Sequence, residues 1–144
     1  MARSLADLAN RLEKRARSID EGFNQASVKA AITILSDLVF VTPVDTSKTL
    51  SNWQVSLNVP VDATIDAHFP GEKGSSRRAS ADAAIRAAKS VLASKKPGDT
   101  IYISNVTPNI ARLNDGYSGQ APAGFVERAV LLGRREVRNA KIKV

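Results

Sequence analysis

A chain of 144 residues, 43% hydrophobic and 24% charged, has the composition of one globular domain large enough to bury an ordinary core. The lack of cysteine excludes disulfides and thiolate metal sites and suits a reducing compartment, and no apolar run approaches the roughly 20 residues that span a bilayer. A formal charge of +7 fits a nucleic-acid partner, an acidic protein partner or solubility alone.

The N-terminal stretch MARSLADLANRLEKRARS is charged throughout and lacks the apolar run of a signal peptide. A chain kept in the cytosol, or packed into something assembled there, is expected. The stretch predicts an amphipathic helix. Leu5, Leu8, Leu12, Ala16 and Ile19 recur every three or four residues, Arg11, Lys14, Arg15 and Arg17 lie between them, and Gly22 is expected to end it. A second helix is predicted over 25–41. Only Lys29 and Asp37 are charged between Val28 and Val41, so it should be the buried central helix. Pro43 stops it and biases Thr42 toward an extended conformation.

Asp45 is then placed to cap a short turn over 46–51. Residues 52–59 alternate strictly. Trp53, Val55, Leu57 and Val59 share one face of a half-buried strand, and Asn52, Gln54, Ser56 and Asn58 the other, with Pro60 closing it. The longest loop, expected to be mobile, spans 66–80. An alanine-rich helix follows over 79–93, then a Pro97-Gly98-Asp99 turn and a second strand over 100–105. Thr107 and Pro108 read as the start of a short helix that Gly116 stops. The last helix is predicted from Ala123, entered through Pro122. It carries Phe125, Val126, Ala129, Val130 and Leu132 before turning basic.

The predicted architecture is α+β: a single domain over 1–144, with a small antiparallel sheet packed against three to four helices. Two strands alone are marginal. Either Val61 and Ile65 mark a further strand or neighbouring subunits complete the sheet.

Chemistry-bearing patterns are scarce. His68 is the single histidine, and a triad with Asp66 and Ser75 or Ser76 would crowd into one loop with nothing to preorganise it. Asp62 and Asp66 form no isolated acid pair. Gly71-Glu72-Lys73-Gly74-Ser75-Ser76 lacks the spacing of a phosphate loop, and there is no metal-ligand run. No enzyme, cofactor or metal is expected. Basic residues cluster between Lys73 and Lys96 (Lys73, Arg77, Arg78, Arg86, Lys89, Lys95, Lys96, against Asp82). They cluster again from Arg128 to Lys143 (Arg128, Arg134, Arg135, Arg138, Lys141, Lys143, against Glu136). Neither cluster carries a recognition-helix motif or stacking aromatics, so a solvated face or a surface docking on acidic neighbours is the leading reading and a DNA-binding accessory role the alternative.

Two stretches add a resemblance. TPVDTSKTLSNWQVSLN, Thr42 to Asn58, resembles one signature of the tail-completion, or neck, proteins of long-tailed bacteriophages. GDTIYISNVTPNIARLNDGYSGQAPAGFVERAV, Gly98 to Val130, is similar to the second signature of that family, in the same order. Ser47 stands where the family usually has glycine, so a positive φ there would be strained, and Asn109 stands where an aromatic commonly follows the proline. The resemblance implies a virion protein, assembled in the host cytoplasm, that forms a ring of probably six copies at the top of the tail. Its implied partners are itself, a tail terminator or tail tube protein, and the head–tail connector or stopper, with DNA passing through unbound by sequence and no membrane involved. Asp45, Thr46, Trp53, Asn105, Asn114, Gly116, Ser118, Gln120, Pro122 and Phe125 would be structural or interface residues. Arg128, Arg134, Arg135 and Arg138 would form a basic docking face.

Overall fold

The structure, a computed structural model, describes residues 4–142; Lys143 lies outside them. Its first element overturns an expectation. Residues Leu5–Val41 form one continuous 37-residue helix, α1, and Gly22 does not interrupt it. A lone glycine costs a helix only about 1 kcal/mol relative to alanine, and here its missing side chain has a use. A Cβ on Gly22 would lie 2.7 Å from Cγ2 of Ile142, so the glycine makes room for the C-terminal segment. The helix begins with a capping box that the Ser-Leu-Ala-Asp sequence encodes: the Asp7 amide donates to Ser4 Oγ, and the Ser4 amide to Asp7 Oδ2. It ends as expected at Thr42, whose ψ of 127° is extended ahead of Pro43.

The remaining elements are the one-turn helix α2 (Lys48–Ser51), strand β1 (Gln54–Leu57), helix α3 (Arg77–Leu92), strand β2 (Ile101–Ser104), the short helix α4 (Ile110–Asn114) and helix α5 (Phe125–Asn139). The fold is α+β, with five helices and one two-stranded antiparallel sheet among the described residues. Gln54 pairs with Ser104 and Leu57 with Ile101. α1 packs on α5 and α3, and α3 covers β1. The core between them is built from Leu35, Leu38, Val39, Leu50, Trp53 and Phe125, with the alanines of α3 allowing close approach. No helix among the described residues is long and apolar enough to cross a membrane.

Two further differences concern the strand. It is shorter than the alternation suggested, and Val59, assigned to the apolar face, is 69% exposed. The polar row begins inside the subunit and ends at the surface: Asn58 is exposed, Gln54 and Ser56 are half-buried. Asn52 is fully buried: its Nδ2 donates to the carbonyls of Lys48 (2.7 Å) and Ile65 (2.8 Å), and its Oδ1 accepts from the Ile65 amide (2.8 Å). Gln54 Nε2 donates to Ala63 O, Ser56 Oγ to Val59 O, and the His68 amide to Ser51 Oγ. Ser80 Oγ takes both the amide and the carbonyl of Phe69. The segment after Pro60 therefore returns along β1 without forming the third strand that Val61 and Ile65 suggested. Side chains hold it where a ladder would otherwise be required.

Asn52→Ala leaves three part-buried backbone groups without their side-chain partner and is expected to cost about 1–3 kcal/mol in urea unfolding. Asn52→Asp is expected to be at least as harmful at neutral pH, because a carboxylate would face two carbonyl oxygens. A neutral Asn52→Asp would contradict this account.

Candidate functional site

The residues singled out from the sequence meet along one seam, where the stretch 42–58 lies against the stretch 98–130. Gln120 makes the junction. Its Oε1 accepts from the Val44 amide (3.0 Å) and its Nε2 donates to the Val44 carbonyl (3.3 Å), imitating a strand pair with one side chain. Arg77, read from sequence only as part of a basic cluster, completes it. Nη1 donates to the Phe40 carbonyl at 2.8 Å, and Nη2 to the Thr42 carbonyl and Gln120 Oε1, both at 3.2 Å. The guanidinium thus satisfies carbonyls left open at the C-terminus of α1. Thr42 is buried, donates to Leu38 O and accepts from Trp53 Nε1 at 2.8 Å, which fixes the indole in the core. Trp53 is therefore an anchor inside the subunit.

Asp45 does not cap the turn that follows it. Its Oδ1 accepts from the Lys73 amide at 2.9 Å and its carbonyl from the Gly74 amide at 2.7 Å. The reason is the backbone. Ser47 precedes α2 at φ 69°, ψ 7°, a left-handed conformation that turns Asp45 away from the helix and toward the 71–74 turn. The segment expected as a mobile loop is thereby pinned at Asp45, at Ser51 and at Ser80, and helix α3 already begins at Arg77. Thr46 is exposed beside it.

Ser47 itself is buried, and its hydroxyl shares a 2.9 Å hydrogen bond with Ser76 Oγ. Ser47→Ala loses that bond and keeps the unfavourable φ. Ser47→Gly loses the bond but removes a conformational cost of about 1 kcal/mol. The glycine variant should be the more stable of the two by about that amount, and a higher urea midpoint for the alanine variant would refute it.

On the second stretch, Asn105 Nδ2 donates to Thr49 O, while its Oδ1 accepts from the amide and hydroxyl of Thr107. Thr107 and Pro108 lie before α4, which starts two residues later than predicted with Asn109 at its N-cap. Asn109 Oδ1 accepts from Thr49 Oγ1 at 3.3 Å, so this polar substitute for an aromatic still touches α2. Gly116 stops α4 as expected, at φ 89°, with the Tyr117 amide reaching back to Arg112 O. The Arg112 guanidinium sits 4.1 Å from the centre of the Tyr117 ring.

Pro122 is not the entry to the last helix. α5 starts at Phe125 behind Gly124 (φ 78°), and Asn114 is its cap: Asn114 Oδ1 accepts from the Val126 amide and its carbonyl from the Gly124 amide. Asn114 Nδ2 also donates to both Glu127 oxygens at 3.0 Å, which holds the Glu127 carboxyl below its ordinary pKa. Pro122 is exposed, while Ala121 and Phe125 on either side are buried. Ser118 Oγ accepts from the Gln120 amide. Between the two stretches the seam opens into a cleft of about 350 Å³, bounded by Asp45, Lys48, Asn109, Leu113, Tyr117 and Gln120.

The four basic docking candidates divide. Arg128 is committed to Asp37 of α1 at 3.3 Å, whereas Arg134, Arg135 and Arg138 stand exposed along α5. Lys29 on α1 faces Glu136 at 3.6 Å. Among the described residues, no hydrogen bond joins the His68 ring to Asp66, Ser75 or Ser76; partial burial lowers its pKa, favouring the neutral ring. No group of three potential metal-ligating residues occurs among them.

The chain matches no protein-family model, no curated protein and no solved structure.

Proposed function

We propose that this chain is a structural subunit of the neck of a long-tailed bacteriophage. Copies would close into a ring at the top of the tail, completing it and joining it to the head-side connector. The observation that carries this reading is the seam. The two stretches that resemble the neck-protein signatures are the two sides of one hydrogen-bonded junction, with Gln120 of the second holding Val44 of the first. Residues used in this way act by holding surfaces in position, which suits assembly better than turnover. The exposed arginines of α5 supply a face for an acidic neighbour.

The alternative, DNA binding, draws on the same charges, but Arg77 and Arg128 are occupied by internal partners. Retention on duplex DNA with a steep salt dependence would favour it.

Reversing Arg134 and Arg135 to glutamate should leave tails of normal length that fail to join heads. Infectious titre should fall more than about tenfold, because like charges facing one another across an interface cost several kcal/mol. Electron microscopy of lysates separates free tails from joined particles, and normal joining would count against the docking face. Absence of the chain from purified virions would overturn the neck reading as a whole.

A further inference from the structure

The N-terminal end of α1 is exposed on every face. Every residue from Ser4 to Ser18 is exposed, and Leu5, Leu8 and Leu12 remain 85%, 44% and 56% accessible. The arm is about 20 Å long at 1.5 Å per residue. Leu5 and Phe23 are eighteen residues apart, five turns at 3.6 residues each, so Leu5, Leu8, Leu12, Ile19 and Phe23 form one straight stripe. With Leu5 at position a, a heptad puts Arg15 and Gly22 in the seam of a coiled coil; with Leu5 at d it puts Ala9, Ala16 and Phe23 at a. Two alanines among those three positions bury little apolar surface, and Leu8 is left outside that seam, so a cleft that takes all three leucines covers the stripe better than a second arm does.

A matching surface lies elsewhere on the same chain. Between the 63–68 segment and α3 is a mostly apolar cleft of about 170 Å³, bounded by Trp53, Val55, Ile65, His68, Ala87 and Val91. A void on the order of 150 Å³ with apolar walls accepts a benzene-sized group, so this one has room for a leucine side chain. The segment beside it leaves Val59 and Phe69 exposed and carries Asp62, Asp66 and Glu72 with no lysine or arginine between Val59 and Glu72. The arm has the opposite balance, with Arg11, Lys14, Arg15 and Arg17 against Asp7 and Glu13, and Arg11 and Arg15 border the leucine stripe. One subunit cannot join the two: residues 4–18 are exposed throughout, and the helix that carries them runs unbroken into the core.

We infer that the arm of one copy seats its leucine stripe in the Ile65–Ala87 cleft of a second copy, with Arg11 and Arg15 facing Asp62 and Asp66. Such a contact is head-to-tail. Every copy offers one arm and one cleft, so association continues until it closes on itself. The inference deepens the ring reading and rests on it for closure; the arm–cleft contact stands on its own evidence.

Two variants disable one side each without touching the fold. Leu8→Glu with Leu12→Glu alters exposed arm positions with a good helix former, and Ala87→Arg blocks the cleft from an exposed position on α3. In sedimentation velocity the wild type should form oligomers, and each variant alone should run as a 15.4 kDa monomer with an unchanged thermal transition. An equimolar mixture should yield a species of twice that mass and nothing larger, because the intact arm of the cleft variant meets the intact cleft of the arm variant. Oligomers persisting in either variant, or a mixture that stays monomeric, overturn the contact while leaving the ring reading standing. A wild type that stays monomeric yet binds anionic lipid vesicles would overturn it too. Absence from virions would remove the ring reading but not a positive mixing result.

Discussion

Phe125→Ala should lower stability by about 3–5 kcal/mol, the range for removing a fully enclosed aromatic. Phe125 is the largest side chain in the subunit with no solvent exposure, and it is the first residue of α5. Its ring joins the start of that helix to the core around Leu35 and Trp53, so truncation leaves a cavity that the Asn114-capped helix start cannot collapse to fill. In urea the midpoint should fall with little change in slope, and the melting temperature should drop on the order of 10 °C for a chain of this length. Phe125→Leu, nearer in volume, should cost less than about 1.5 kcal/mol. Equal losses in the two variants would mean that the site is not packed as described.

Gly133→Val should be nearly as damaging, by the opposite route. Gly133 is buried where α5 crosses α1, and a Cβ there would collide with Cγ1 and Cδ1 of Ile34 and lie 3.5 Å from the Ala30 carbonyl. Overpacking of this kind costs about 3 kcal/mol at the upper end of its usual range. It exceeds the gain of about 1 kcal/mol from removing a glycine from a helix interior. The colliding atoms belong to one side chain, so the effect has a specific remedy. Ile34→Ala is destabilising alone, but combined with Gly133→Val it should be better tolerated than the sum of the two by about 1 kcal/mol or more. Strict additivity would show that the helices have moved apart instead.

Periodicity carried much of the architecture. The apolar stripe of α5, the alternation from Trp53 to Leu57, and Pro43 and Gly116 as stops are local signals, and the structure obeys them. Gly22 is the instructive failure. Its effect depends on Ile142, some 120 positions away, and no local pattern encodes that contact. The polar row of β1 misled for a related reason: alternation tells which residues share a face, not whether that face meets water or a returning segment. Asn52 therefore looked solvated and is buried, and Gln54 is tied to the returning segment. The seam was half legible. Gln120 and Asn114 stood out through the resemblance, but their partners are backbone groups of Val44 and Val126, which sequence does not advertise. Arg77 was hidden by its neighbours, since one arginine among seven basic residues looks like surface charge until its carbonyl acceptors are seen. Ser47 is the converse case: a positive φ there was only a conditional reading, and the residue does take one, at 69°.

The uninterrupted run from Leu5 to Val41 also has a mechanical meaning. A rod about 55 Å long, with Gly22 helical and wedged by Ile142, has no joint at which to bend. A tilt imposed on its exposed N-terminal part is carried along the helix to the crossing with α5, at Gly133 and at the Asp37–Arg128 pair. The protruding end and the arginine-bearing face thus behave as two ends of one lever, and a neighbour gripping the first sets the tilt of the second.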